Sequence, residues 1–285
     1  MLEEAIERAQ ERAERLRIDP QLTIAEVYEA ELLRRLQGKL RGNLVWKGGT
    51  VLRLEGSERF SRDLDATRRS ASTTAPQLKR ILTEISSDLP YLSSVEADAQ
   101  SGSVVAVYRF AIPGLGQPLR IRVEVSIRER IALRPTTVST ARIAHPSGVE
   151  PVVVARLEDR ELLAEKVRAL AMRTAARDIF DVYWLLERGV EFDPALFLRK
   201  MRYYKKVGKP VDPVAAIEKT IRQLKDYDPR RAKTELSNLL PAAHRGLDFS
   251  VIVEDVRRAL ESWLALLSKT KPSETRSRGT RKRLK

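Results

Sequence analysis

The sequence contains no cysteine and only two histidines among its 285 residues. The absence of cysteine excludes disulfides, thiolate-ligated zinc, iron–sulfur clusters and cysteine nucleophiles. Two histidines are too few for a histidine-rich metal site, and they argue against a Ser-His-Asp triad. Any chemistry must therefore rest on carboxylates, lysine, arginine and hydroxyl groups, which are the groups of Mg²⁺-dependent phosphoryl transfer.

Long apolar runs are also missing. No stretch approaches the ~20 apolar residues of a membrane-spanning helix, and residues 1–17 are charged at nearly every helical turn, unlike a secretory signal. Hydrophobic residues make up 42% and charged residues 32% of the chain, as in globular proteins. We therefore expect a cytoplasmic protein that does not contact membranes.

The charge is strongly basic and unevenly distributed. Lysine and arginine number 53 against 39 acidic residues, a formal net charge of +14. Residues 1–195 carry a net +1 and residues 234–267 a net −2, whereas residues 196–233 carry +8 and residues 268–285 carry +7. This asymmetry favours a polyanionic partner such as nucleic acid for the last third of the chain. The alternative is a solvated basic face that only aids solubility.

The pattern of apolar and polar residues along the sequence predicts two domains and a tail. Two N-terminal helices, over residues 3–16 and 24–40, precede short apolar runs that indicate strands, among them residues 104–112 and 119–127. From residue 158 onward the pattern is helical, and the pairs Asp193-Pro194 and Asp212-Pro213 predict the starts of helices over residues 194–206 and 213–226. We expect an α/β (α+β) domain with a mixed sheet over residues 1–155 and an all-helical domain over 156–267. Residues 268–285 contain one apolar side chain and are predicted to be a disordered basic tail.

The most informative motif joins a glycine turn to paired carboxylates. The stretch Lys47-Gly48-Gly49-Thr50 precedes Asp63-Leu64-Asp65 by thirteen residues. Carboxylates two residues apart on a strand point to the same face, where they can bind two Mg²⁺ ions. Backbone N–H groups freed by glycine at a helix start can bind phosphate. Each half alone is usually a turn or a strand end, but together they predict a site for a metal and a nucleotide.

These residues, from Lys47 to Asp65, resemble the signature of the AbiEii/AbiGii-type nucleotidyltransferase toxins, which include the MenT toxins and belong to the DNA polymerase β superfamily. A second stretch, Glu161 to Asp181, is similar to the family's Glu-Leu-Leu-x-x-Lys and Arg-Asp-x-x-Asp elements. The resemblance covers roughly residues 40–190. It implies a polymerase β-like nucleotidyltransferase fold, a nucleoside triphosphate as substrate and a two-metal Mg²⁺ site.

The resemblance also implies roles for individual residues. Asp63 and Asp65 would bind the metals, and Glu124, in a strand-like run, is the candidate for a third metal ligand. The remaining catalytic candidates are Ser61, Lys166 and Asp178. The nucleotide-binding candidates are Lys47, Gly48, Gly49, Thr50, Arg59, Lys166 and Arg177.

Several of these assignments have structural alternatives. Lys47 and Arg59 could be structural, Lys166 could be a solvent-exposed lysine, and Asp181 could form an i,i+4 ion pair with Arg177. For this reason Asp178, and not Asp181, is the predicted functional acid.

The basic segment after residue 196 supplies a candidate RNA surface. Its aromatic residues fit the buried side of an amphipathic helix, and its cations are the predicted RNA-binding residues: Arg199, Lys200, Arg202, Lys205 and Lys206. The implied function is transfer of nucleotides, with CTP as a candidate donor, to the 3′ end of tRNA, and a cognate antitoxin is the expected partner. The alternatives are transfer to a small molecule or a protein hydroxyl, and a non-catalytic protein that binds RNA or antitoxin.

Overall fold

A computed structural model of the protein describes residues 2–206 and 209–269. Apart from residues 268 and 269, which end the last helix, the predicted basic tail lies outside the described residues. The helices are α1 Leu2–Leu16, α2 Pro20–Leu40, α3 Gly48–Leu54, α4 Ala75–Glu84, α5 Ala141–Ser147, α6 Asp159–Arg173, α7 Ala176–Glu187, α8 Pro194–Met201, α9 Pro213–Lys225, α10 Pro229–Ser237 and α11 Phe249–Lys269. The strands are β1 Leu44–Lys47, β2 Asp63–Arg68, β3 Leu92–Gln100, β4 Ser103–Phe110, β5 Leu119–Ser126, β6 Thr136–Ser139, β7 Val153–Arg156, β8 Lys205–Lys206 and β9 Lys209–Pro210.

Seven strands form one mixed sheet in the order β3-β4-β5-β2-β1-β7-β6. The β2–β5 and β1–β7 pairs are parallel, and the other neighbours are antiparallel. On one face of β4 and β5, apolar side chains such as Val104, Tyr108 and Val123 are fully buried. Because side chains alternate along a strand, the opposite face of β2 and β5 is free to carry polar residues. The fold class therefore agrees with the predicted mixed sheet followed by a helical region.

Helices α6 to α11 make up most of the chain after residue 158. Two of them begin where the sequence predicts, because Asp193 and Asp212 cap the first turns of α8 and α9 and a proline follows each cap. Buried apolar side chains of the sheet and of these helices form one continuous cluster. In the part of the chain that the structure describes, no helix is long and apolar enough to cross a membrane.

The structure adds elements that the sequence pattern did not reveal. Strands β3 and β6 are the edges of the sheet, and their side chains are mostly polar and half-exposed or exposed, so they lack the apolar alternation that marks a strand. Helix α5 contains Pro146 near its end, and a proline in a sequence usually indicates that a helix is interrupted.

Helix α8 is shorter than the predicted 194–206. It ends at Met201 because the N–H groups of Tyr203 and Tyr204 bond to the carbonyls three residues earlier, which tightens the last turn. The chain then leaves the helix at Tyr204, whose hydroxyl is bound elsewhere.

Candidate active site

The paired carboxylates lie at the start of β2 on the face opposite the apolar core. Asp63 and Asp65 share this face, and β5 runs parallel beside them with Glu124 directly opposite Asp65. The Glu124 carboxylate is 2.5 Å from the Arg122 guanidinium on the same strand. Although burial alone would raise the pKa of Glu124, this hydrogen bond to Arg122 holds it below its ordinary value.

A cavity of about 370 Å³ opens over this face, between the sheet and helices α6 and α7. Twelve residues are predicted from the sequence to take part in catalysis, nucleotide binding or metal binding. All of them except Thr50 line this cavity: Lys47, Gly48, Gly49, Arg59, Ser61, Asp63, Asp65, Glu124, Lys166, Arg177 and Asp178. The cavity is also lined by residues that were not predicted for the site: Ala66, Arg122, Ser126, Arg128, Glu129, Glu165, Arg168, Ala169, Met172, Arg173, Asp181 and Tyr204.

The two glycines are required by the close approach of cavity side chains. Gly48 has φ +80°, in the left-handed region, and a Cβ there would lie 2.5 Å from the Asp65 Oδ2 atom. A Cβ on Gly49 would lie 2.6 Å from the Arg59 Nη2 atom and 2.9 Å from the Ser61 Oγ atom. The Gly-Gly pair thus lets the start of α3 sit directly against the carboxylate and its neighbours.

Thr50, which the resemblance implies as a nucleotide-binding residue, does not line the cavity. Its side chain is buried, and its hydroxyl donates to the Asp63 carbonyl at 2.8 Å. The bond ties α3 to the start of β2 and so fixes the backbone that carries Asp63. Ser61 lines the cavity and also donates to the Asp63 carbonyl, at 3.3 Å.

Asp181 on α7 is the centre of the helical side of the site. Both of its oxygens accept from Arg59, at 2.8 and 2.9 Å, and the Lys166 ammonium is 2.7 Å away. Burial opposes ionisation, but Arg59 and Lys166 outweigh it and lower the pKa of Asp181. The proposed i,i+4 pairing of Asp181 with Arg177 is therefore wrong, and Lys166 is a buried, paired lysine rather than a solvated one.

Asp178, one turn earlier on α7, is also buried and ion-paired. Its carboxylate accepts from Arg173 at 2.5 and 2.8 Å, and half of the Arg173 side chain is exposed. Arg177, by contrast, is exposed on the rim of the cavity. Asp178 is thus held by a neighbour on the adjacent helix, as Asp181 is held by Arg59.

A buried charge network that the sequence pattern does not reveal surrounds Lys47, the residue before the glycine turn. The Glu129 carboxylate accepts from the Lys47 ammonium and from the Tyr204 hydroxyl. Lys47 is also 3.7 Å from Glu165, which is paired with Arg168 at 3.1 Å. Burial alone would lower the pKa of Lys47, but Glu165 and Glu129 raise it, so the lysine stays charged. Glu165 and Arg168 are three residues apart on α6, but only the fold brings this pair together with Lys47, Glu129 and Tyr204.

Lys200 belongs to this network and not to an exposed surface. Its side chain is 1% exposed, with the ammonium 2.7 Å from Glu161 and 2.9 Å from Glu165. The prediction of Lys200 as an RNA contact is therefore wrong, because its charge is neutralised inside the protein. Arg199 and Arg202 are exposed as predicted, and the side chains of Lys205 and Lys206 lie outside the described part.

Most of the charged side chains that line the cavity are ion-paired with one another or with nearby residues, and a few are not. Eight lysine or arginine side chains and seven carboxylates line it. Of these lining residues, Arg128 and Arg177 have no carboxylate within 4.0 Å, and Asp63 and Asp65 have no cation within 4.0 Å, when partners are sought among residues 2–206 and 209–269. Within these ranges the cavity therefore offers a ligand two carboxylates and two guanidinium groups that have no ion-pair partner.

The family is shown by a comparison with protein-family models. The model described as nucleotidyl transferase AbiEii toxin, type IV TA system, matches residues 31–272. The chain therefore belongs to the AbiEii family of nucleotidyltransferase toxins from toxin–antitoxin systems.

The solved structures that the comparison matched to this chain include two bacterial proteins. JHP933 from Helicobacter pylori is 17% identical, with 85% of this chain and 97% of that chain covered and a TM-score of 0.46. MenT4, a nucleotidyltransferase toxin from Mycobacterium tuberculosis H37Rv, is 17% identical, with 87% and 94% covered and a TM-score of 0.47. A search of curated proteins found no match.

Proposed function

We propose that this toxin transfers nucleotides from a nucleoside triphosphate to RNA in the cytoplasm, with the 3′ end of tRNA as acceptor. Nucleotides added there would block aminoacylation and hence translation, which is a route to toxicity. The observation that carries the proposal is a pair of carboxylates, Asp63 and Asp65, that have no ion-pair partner among the described residues and lie beside the Gly48-Gly49 turn in the cavity. CTP is the first donor to test.

The free carboxylates suit a divalent cation. Carboxylate oxygens are the ligands that Mg²⁺ prefers. Burial raises the pKa of Asp65; Lys47 lowers it and Asp63 raises it further, so a bound cation would balance charge that the protein leaves unbalanced. Within the described ranges no three metal-ligating side chains are grouped, and Glu124, the third candidate, is engaged by Arg122. When bound, Mg²⁺ would stabilise the charge that develops on the leaving pyrophosphate.

The protein's own groups would bind and orient the substrates. The backbone N–H groups of the Gly48-Gly49 turn would bind the triphosphate, and Lys166 and Arg177 would offset its charge. The 3′-hydroxyl oxygen attacks the α-phosphorus in line, the bond to the bridging oxygen breaks, pyrophosphate leaves and the hydroxyl proton passes to water. Positioning and charge stabilisation supply most of the catalysis.

Exposed cations near the end of α8 support RNA as the acceptor. Arg199 and Arg202 are exposed, and they lie close in sequence to Lys200, which is paired with Glu165 of the cavity lining. The basic tail adds positive charge to the same third of the chain. A small-molecule acceptor would not need such a surface. Membership of a type IV toxin–antitoxin family supports a cognate antitoxin as a further partner.

The test is a labelling reaction with the purified protein. Total tRNA is incubated with each of the four α-labelled nucleoside triphosphates, with Mg²⁺ or with chelator. We expect labelled tRNA with at least one nucleotide, only in the presence of Mg²⁺. Label absent with all four would overturn the proposal. Label that appears on protein or on a small molecule instead would favour the alternative acceptors.

A second arm tests the acceptor surface. The double variant Arg199→Ala, Arg202→Ala should need more tRNA for half-maximal transfer and should show a weaker salt dependence of tRNA binding, since two phosphate contacts are lost. Lys79→Ala, which removes an exposed cation on α4, is the matched control. If the double variant and Lys79→Ala had equal effects, the basic surface would serve solubility and not RNA binding.

A further inference from the structure

Arg128 is held in one place by the backbone that surrounds it. It follows the end of β5, and its N–H donates to the Gly102 carbonyl at 3.3 Å. Gly102 has φ +91°, and a Cβ on it would lie 2.5 Å from the Arg128 Cδ atom. The stem of Arg128 therefore packs directly on the glycine backbone, while its guanidinium lines the cavity.

The Tyr204 ring supports the guanidinium from below. The Arg128 Cζ atom lies 4.5 Å from the ring centroid, and the Arg168 Cζ atom lies 3.7 Å from it. The hydroxyl of Tyr204 bonds to the buried Glu129 carboxylate, which fixes the ring. A planar guanidinium over an aromatic face is stabilised by cation–π attraction and keeps its N–H donors free at the edge.

The two arginines on this ring differ in what neutralises them. Arg168 is paired with Glu165 at 3.1 Å and is mostly buried. Arg128 is exposed, and no carboxylate of the described residues lies within 4.0 Å of it. Its donors are therefore available to an anion in a cavity that also holds the glycine turn and Asp65.

We propose that Arg128 binds a phosphate of the nucleoside triphosphate and that Tyr204 is the positioning residue that holds it there. The inference rests on the proposed function, because the cavity must bind a nucleotide. Phosphate could also come from the RNA acceptor, but Arg128 lines the same cavity as Gly48 and Asp65, which favours the nucleotide. An arginine–phosphate contact is charge-assisted and has the strength of a strong hydrogen bond.

The experiment measures equilibrium binding of ATP, CTP, GTP and UTP, each with Mg²⁺ and without acceptor RNA. Arg128→Ala should raise the Kd of the best-bound nucleotide about tenfold to a hundredfold, as expected for a lost charge-assisted contact. Arg130→Ala, an exposed arginine two residues away that does not line the cavity, should leave the Kd unchanged. Thermal unfolding of each variant checks that the fold is intact.

Tyrosine variants test the positioning role. Tyr204→Phe keeps the ring and should bind nucleotide within about threefold of wild type, whereas Tyr204→Leu should lose most of what Arg128→Ala loses. The double variant Arg128→Ala, Tyr204→Leu should bind no more weakly than Arg128→Ala, because Tyr204 acts through Arg128. Fully additive losses would overturn the positioning role.

The outcomes separate this inference from the proposed function. If the wild-type protein binds none of the four nucleotides, both are overturned. If it binds one and Arg128→Ala binds it equally well, the Arg128 inference alone fails. A loss of tRNA affinity with unchanged nucleotide affinity would also overturn it, since it would assign Arg128 to the acceptor.

Discussion

Asp63 and Asp65 on the sheet side of the cavity have no cation partner among the described residues, whereas Asp178 and Asp181 on the helical side are each held by arginine or lysine. Both pairs lie in the same cavity. The helical pair is arranged before any ligand binds, because its partners come from the protein. The sheet pair carries negative charge that a ligand must balance.

The difference indicates a division of labour. Buried carboxylates with partners fix geometry, since removing one partner leaves an uncompensated charge. Carboxylates without partners carry uncompensated charge, so they gain most when a cation binds. Substitutions on the sheet side should therefore affect activity more than stability, and those on the helical side should affect stability at least as much as activity.

The largest expected effect is that of Asp65→Asn on activity. Loss of a metal-binding carboxylate removes several kcal/mol of transition-state stabilisation, so transfer should fall about a thousandfold or more. The thermal midpoint should stay equal or rise, because burial raises the pKa of Asp65 and its charge is costly. Asp98→Asn, at an exposed position of β3, should change neither. Retained transfer in Asp65→Asn would place the catalytic charge elsewhere.

Next in size is the effect of Asp181→Asn on stability. The change leaves Arg59 and Lys166 buried without their carboxylate, which should lower the free energy of unfolding by about 3–5 kcal/mol. Asp178→Asn should cost less, because half of the Arg173 side chain is exposed and can be hydrated. Denaturant unfolding of the two variants measures this order. A smaller loss for Asp181→Asn than for Asp178→Asn would contradict the comparison.

The stability that the ion pairs of Asp181 contribute should depend on pH. The folded-state pKa of Asp181 lies below its unfolded value, although burial opposes the shift, because Arg59 and Lys166 favour the charged form. Its stabilising contribution is therefore complete above the unfolded pKa and is lost as pH falls through the folded pKa. The stability gap between wild type and Asp181→Asn should narrow in acid, and a constant gap would show that Asp181 is not the group involved.

The smallest expected effect is that of Gly48→Ala. Both Gly48 and Gly56 have positive φ, so alanine at either position should cost about 1–2 kcal/mol of stability. Only at Gly48 does the new Cβ meet the Asp65 carboxylate; at Gly56 nothing lies within 4 Å. Transfer should therefore fall in Gly48→Ala and persist in Gly56→Ala, as measured by the labelling reaction. Equal activities would show that the close approach to Asp65 is not needed.

The sequence predicted most of the fold where local patterns are strong. The apolar strands β4 and β5 and the capped helices α8 and α9 begin within a residue or two of their predicted starts. The edge strands escaped prediction because a strand paired on one side can be largely polar. The end of α8 escaped because it depends on where Tyr204 finds its partner, which is distant in the chain.

For the candidate site, the sequence predicted those cavity-lining residues whose spacing is local. Gly48, Asp63 and Asp65 follow one another in a short stretch, and Lys166 and Asp178 lie on a second one. The partners that set their charges were not readable from the sequence. Asp181 meets Arg59 across 122 positions, and Glu129 meets Tyr204 across 75.

The sequence by itself determined the chemistry available to this protein: carboxylates and a glycine turn without cysteine or a usable histidine, and a basic last third. The tertiary structure decided which charges are free to act. Lys200 is neutralised inside the protein, whereas Asp65 and Arg128 have no ion-pair partner in the part of the chain that the structure describes. The physical reason is that the interaction energy of an ion pair depends on the distance between the charges and on their burial. Both are properties of the folded chain and not of spacing along the sequence.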